Sequence, residues 1–121
     1  MAGIMVVEDD SDLREMISES LKKRGEYMVI EASNGREAIK KFKSLLIDMV
    51  ITDIVMPELD GIGLIMELRK MKDRIKVIAI SGGGKVGPVN YLSIAKTMGA
   101  EAVFTKPFSI KALVDKVEEL L

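Results

Sequence analysis

Met49-Val50-Ile51-Thr52-Asp53 is an apolar run free of glycine and proline that stops on a carboxylate, and Ile54-Val55-Met56-Pro57 follows it. A short run that is apolar on both faces predicts a strand inside a parallel sheet covered by helices on both sides. Asp53 then lies where that strand passes into a loop, at the edge where open α/β sheets bind their ligands.

The same pattern recurs on either side of this run. Ile4-Met5-Val6-Val7 breaks into Glu8-Asp9-Asp10, so a first strand also ends on acids. Asp10 or Ser11 can cap a helix whose buried stripe is expected at Leu13, Met16, Ile17, Ser20 and Leu21, ending near Gly25. Tyr27 to Ile30 form a second strand, and Asn34 with Glu37 three residues on resembles a capping box opening a helix through Ala38, Ile39 and Phe42. Beyond Asp53, Asp60 is expected to cap a helix carrying Ile62, Ile65, Met66 and Leu68, its first turn weakened by Gly61 and Gly63. Val77 to Ile80 make a fourth strand ending at Ser81. The glycine-rich loop Gly82 to Pro88 follows, and then a helix facing inward with Val89, Leu92, Ala95 and Met98 and stopped by Gly99. Ala102 to Thr105 are the last strand, and Ser109 caps a final helix with Ile110, Leu113, Val114, Val117 and Leu121 on one face. Five strands alternating with five helices predict a three-layer α/β sandwich built from right-handed βα units.

Composition narrows the chemistry. At 121 residues, 48% apolar and 31% charged, the chain is expected to form one globular domain. A formal net charge of −1 argues against broad electrostatic binding of nucleic acid. The absence of cysteine and histidine removes disulfides, thiolates and imidazoles, leaving oxygen ligands that suit Mg²⁺, Mn²⁺ or Ca²⁺ better than zinc. No apolar run approaches the roughly 18 residues of a membrane span, and the N-terminus is no secretion signal, so a cytoplasmic location is expected. Asp10, Asp12 and Asp60 read as caps or first-turn acids, and the nine methionines mostly as adaptable core filling. Gly82-Gly83-Gly84-Lys85-Val86 fails as a nucleotide-binding loop, because Ala79 stands at its leading glycine position and Val86 where Ser or Thr should be. An FMN phosphate would be repelled by the acids without a metal.

Glu8-Asp9, Asp53, Ser81 and Lys106 all fall at or just past strand C-terminal ends, which share one edge in a parallel sheet. Several negative charges placed there call for a compensating cation, and octahedral Mg²⁺ leaves positions open for phosphate oxygens. Lys106 adds a positive point charge and Ser81 a hydroxyl donor. A carboxylate in such a set can accept a phosphoryl group as an acyl phosphate.

Val6-Val7-Glu8-Asp9-Asp10, Asp53 through Gly61, Ile80-Ser81-Gly82 and Phe104-Thr105-Lys106-Pro107-Phe108 together resemble the response-regulator receiver domain, the CheY-like family of two-component signalling. The resemblance covers essentially the whole chain. It implies a flavodoxin-like sheet of order 2-1-3-4-5, residues 1–121 as a single receiver domain without an output domain, and Asp53 as phosphoacceptor. It further implies a Mg²⁺ site at Glu8, Asp9, Asp53 and the main-chain carbonyl of Val55, with Ser81 as the switch hydroxyl, Lys106 as the phosphate partner and a cis bond to Pro107. The donor it implies is a phosphohistidine on a sensor histidine kinase or histidine phosphotransfer protein. Output then passes through a downstream protein from a monomer or weak dimer that binds no nucleic acid. Such a domain catalyses its own phosphorylation and slow dephosphorylation rather than a metabolic reaction; the alternative is a non-catalytic receiver-fold module that only binds protein. Two positions depart from the family. Val103 stands where an aromatic residue often lies, so a coupled hydroxyl-and-aromatic switch is not expected. The segment after Ser81 is about three residues longer than is usual, predicting a mobile or displaced loop over 82–90.

Overall fold

A computed structural model describes residues 1–54, 61–82, 93 and 96–121. Five strands run β1 (Ala2–Val7), β2 (Tyr27–Ala32), β3 (Met49–Asp53), β4 (Lys76–Ser81) and β5 (Ala102–Thr105). Four helices are described with them: α1 (Ser11–Arg24), α2 (Gly35–Ser44), α3 (Gly61–Met71) and α4 (Ile110–Leu120). The strands pair in parallel in the order β2-β1-β3-β4-β5, as expected. The glycine-rich loop from 83 onward, most of the helix expected between β4 and β5, the Asp60 cap, Met56 and Val55 lie outside the described residues.

Every residue of β3 is buried, which explains its lack of polar alternation. Successive side chains point to opposite faces of the sheet and feed two separate cores. Ile4, Val6, Met49, Ile51, Ile78 and Ile80 pack with Ile17 and Leu21 of α1 and Leu113, Val114 and Val117 of α4. Met5, Val7, Val50 and Val77 pack with Ala38 and Phe42 of α2 and Leu64, Ile65 and Leu68 of α3. A third, small cluster of Ile54 and Ala79, with Ile62, Ala100 and Val103 against it, sits near the strand ends.

Local signals set the helix limits. Asp10 Oδ1 accepts from the amides of Asp12 and Leu13 at 3.0 and 3.2 Å, resolving the choice of cap in its favour. Asn34 Oδ1 accepts from Glu37 N at 2.8 Å, while Glu37 Oε1 accepts from Ser33 N at 2.6 Å, one residue before the position a capping box uses. Ser109 caps α4 through Ala112 N at 3.1 Å. Gly99, at φ +92°, occupies the left-handed region in which glycine is tolerated best.

Four stripe positions need correction. Met16 is 55% exposed and Met66 is 53% exposed, their places being taken by Ser18 on α1 and Leu64 on α3. Leu121 lies past the end of α4 and is exposed, whereas Leu120 packs on the core, and Ser20 is only half-buried. Met1 and Met71 are exposed too, so core filling describes Met5 and Met49 better than the methionines as a class. A 3.6-residue period fixes the middle of a buried stripe but not its margins, where long flexible side chains can lie on either side.

Candidate phosphoacceptor and cation site

The strand order brings the ends of β1, β3, β4 and β5 side by side. Val7 pairs with Thr52, Asp53 with Ile80, and Ser81 with Thr105, so one edge receives Glu8, Asp53, Ser81 and Lys106 from four segments distant in sequence. Glu8, Asp53 and Ser81 are buried, and Asp9 is exposed at the rim. Carboxylate oxygens of Glu8, Asp9 and Asp53 all lie within 4.8 Å of one another. Lys106 Nζ reaches into this group, 2.8 Å from Asp53 Oδ2 and 3.1 Å from Glu8 Oε1. The Lys106–Pro107 bond is cis.

The backbone holds these side chains in place. Glu8 N donates to Ala32 O at 3.1 Å, extending the β1–β2 pairing by one residue, and Asp10 N donates to Glu8 Oε2 at 3.1 Å. Lys106 N donates to Ser81 O at 2.8 Å, carrying β5 one residue beyond its ladder. Thr52, fully buried, donates its hydroxyl to Asp53 O at 2.9 Å.

The electrostatics are those of an acid cluster with one cation too few. Burial pushes the Glu8 carboxyl up to about 7, and the charge on Asp53 and the neighbouring Asp9 carboxylate add to that, against the opposing Asp10 amide and Lys106. Burial pulls on Lys106 in the opposite sense, but Asp53 and Glu8 outweigh it and hold the ammonium above its ordinary value. Glu8 Oε1 lies 3.1 Å from Lys106 yet has no aligned hydrogen-bond donor among the described residues. A buried, underused oxygen among three carboxylates is what a hard divalent cation would complete, and an oxygen-only donor set matches Mg²⁺. The residues present fit the ion.

Two contributors escape the sequence. The Cβ of any residue other than glycine at 61 would lie 2.3 Å from Asp53 O and 2.5 Å from Ile54 Cα. Gly61 therefore lets α3 start against the backbone of Asp53, its own amide donating to Ile54 O at 3.2 Å. Its helix-weakening effect is the cost of that approach; its neighbours in the Asp53–Gly61 motif are the only signal in the sequence. Arg14 bonds Glu8 O from α1, and nothing local separates it from an ordinary surface arginine. Val103 packs against the Ile54–Ala79 cluster behind the site.

Comparison with known proteins agrees with this geometry. Residues 4–118 match the response regulator receiver domain family, and the chain belongs to it. It is 34% identical over 117 residues to the chemotaxis protein CheY of Thermotoga maritima, covering 97% of this chain and 95% of that one. It is 38% identical to part of the sensor kinase CckA of Brucella abortus, covering 99% of this chain but 12% of that protein. The receiver TrrA of Thermotoga maritima, solved in complex with Mg²⁺-BeF, superposes with a TM-score of 0.85 at 36% identity over the whole of both chains. CheY4 of Vibrio cholerae gives a TM-score of 0.87 at 26% identity, covering 100% of this chain and 99% of that one. The chain is thus a receiver domain with clustered Glu8, Asp9 and Asp53, able to take up a phosphoryl group itself and distinct from metabolic enzymes. Among the described residues no helix is long and apolar enough to cross a membrane.

Proposed function

We propose that Asp53 accepts a phosphoryl group from a phosphohistidine on a sensor histidine kinase or histidine phosphotransfer protein, and that residues 1–121 act as one receiver domain. A carboxylate oxygen of Asp53 attacks phosphorus; the P–O bond forms as the P–N bond breaks, and the electron pair of the broken bond returns to the imidazole nitrogen. Lys106 compensates charge on the transferred group, and the Ser81 hydroxyl donates to one of its oxygens. Glu8, Asp9, Asp53 and the main-chain carbonyl of Val55 hold Mg²⁺, which when bound neutralises charge on the acids and on the phosphoryl oxygens. Phosphorylation then favours a rearranged surface around β4, β5, α4 and the helix expected between β4 and β5, which a downstream protein reads by its different affinity for the two states.

The observation that carries this reading is the Lys106 ammonium 2.8 Å from a buried Asp53 beside two further acids. The Mg²⁺-BeF complex of TrrA supports it by chemistry, since that receiver carries a phosphoryl mimic with its metal. The similarity to a segment of CckA supports a histidine-kinase partner. Incubation with acetyl phosphate or phosphoramidate tests it: Mg²⁺-dependent labelling of the wild type and none of Asp53→Asn is expected. Absence of labelling in both would leave a receiver fold that only binds protein.

A further inference from the structure

Arg14 lies on α1, one turn past its cap, where an arginine would ordinarily extend into water. Instead its side chain is largely buried, at 19% exposure, and turns back toward the acid turn. Nη1 donates to the Glu8 main-chain oxygen at 2.8 Å and Nε to Glu31 Oε1 at 3.1 Å. Glu31 is itself fixed on β2, its main-chain oxygen accepting from Lys41 Nζ at 2.5 Å. A guanidinium held at two points has a defined orientation that a lysine ammonium could not reproduce.

The acceptor it chooses matters more than the bond. Glu8 O shares one rigid peptide plane with the amide of Asp9, so holding that oxygen fixes the direction in which the chain leaves Glu8. The strand ladder ends at Val7, and Asp9 is exposed, so it takes its position from this peptide. Glu8 is secured at its other end by Asp10 N donating to Oε2.

We propose that Arg14 is a positioning residue for the cation site, setting the Glu8–Asp9 peptide so that both acids converge on Asp53. This rests on the reading above that those three carboxylates hold Mg²⁺. The sign of its effect separates positioning from charge. As a nearby cation Arg14 would repel Mg²⁺, and its removal would tighten binding; as a positioning residue its removal must weaken binding.

Calorimetric titration of the metal-free protein with Mg²⁺ decides between them, alongside urea unfolding of each variant. Wild type is expected to bind and Asp9→Asn to bind far more weakly. Arg14→Ala is expected to lose about 10-fold or more in Mg²⁺ affinity, in the range typical of residues that orient metal ligands. Arg14→Lys keeps the charge but not the two-point grip and stays weaker than wild type, and Glu31→Ala gives a smaller loss. In acetyl phosphate labelling, the Mg²⁺ concentration for half-maximal rate rises for Arg14→Ala while the rate at saturating Mg²⁺ stays near wild type, a split that general destabilisation does not produce. Wild-type or tighter Mg²⁺ binding by Arg14→Ala overturns the proposal; if that variant does not fold, wild-type binding by both Arg14→Lys and Glu31→Ala overturns it. A wild type with no saturable Mg²⁺ binding would instead remove the cation site itself, and the positioning role with it.

Discussion

Asp48 and Asp53 stand at opposite ends of β3, the first just before the strand and the second its last residue. Asp48 has a side chain 49% exposed; its Oδ2 accepts from Gly3 N at 2.8 Å, and Lys72 lies 3.9 Å away. Asp48 N in turn donates to Gly3 O at 2.8 Å, so the two residues close the lower end of the β1–β3 pairing. Asp53 has a side chain 4% exposed and shares one lysine with Glu8, with Asp9 close by. One carboxylate faces donors, and the other is placed among like charges. A carboxylate at a strand end thus becomes a candidate site through what converges on it, and the convergence here works against the stability of the metal-free fold.

The largest expected difference between the two is all-or-none. Asp53→Asn should abolish Mg²⁺-dependent labelling by acetyl phosphate, while Asp48→Asn should label at the wild-type rate. Labelling that persists in Asp53→Asn, located by mass spectrometry on another aspartate, would mean that Asp53 is not the acceptor.

The second difference is one of pH. With Glu8 raised from its ordinary 4.5 to about 7, the folded chain keeps a proton that the unfolded chain releases. The contribution of Glu8 to the stability of the metal-free protein is then fullest below about pH 4.5 and is lost as pH rises through about 7, the reverse of a paired carboxylate. At about 1.36 kcal/mol per unit, the ceiling on this loss is roughly 3 kcal/mol. Urea unfolding in EDTA between pH 5 and 8 measures it. The slope should become shallower in Asp53→Asn, which removes one of the charges acting on Glu8, and remain in Asp48→Asn. A wild type whose stability is flat over that range would mean that Glu8 is charged at no cost.

How much of this was legible follows from the range of the forces involved. The strand Met49–Asp53 was readable to the residue, because burial on both faces leaves an unbroken apolar run with a polar stop. The site acids and Lys106 were readable because a parallel sheet gathers strand C-termini on one edge, whatever the loops do. Arg14 and Gly61 were not readable in their roles: one acts on Glu8 and Glu31, the other on the backbone at 53 and 54, and neither partner is fixed by local periodicity. Met16, Met66 and Leu121 were misplaced for a related reason, since tertiary packing and not the helical period decides a stripe's margins.

Gly61 adds a steric difference at the Asp53 end. A Cβ there meets backbone at 2.3 and 2.5 Å, so α3 or the strand end must shift. Gly61→Ala should cost about 2–3 kcal/mol and slow labelling, overpacking outweighing any gain in helix propensity. At Gly82, where an added Cβ meets nothing within 4 Å, alanine should stay within about 1 kcal/mol of wild type. Equal melting of the two alanine variants would show that the α3 start is not held against Asp53 as described.

The smallest effect belongs to Asp48. Its removal in Asp48→Ala takes the acceptor from the amide of Gly3, a buried residue, but water can reach the half-exposed position and replace part of the bond. The expected cost is about 1 kcal/mol, and Asp48→Asn, which keeps a carbonyl acceptor, should lose less. The Lys72 contact at 3.9 Å across exposed side chains adds little. Urea midpoints of both variants in EDTA at pH 8 place this loss beside Asp53→Asn, which at the same pH should lose less, because relief of repulsion with Glu8 offsets the weakened bond to Lys106. If Asp48→Ala destabilised no more than Asp53→Asn, the two ends of β3 would not differ in the sense that their neighbours dictate.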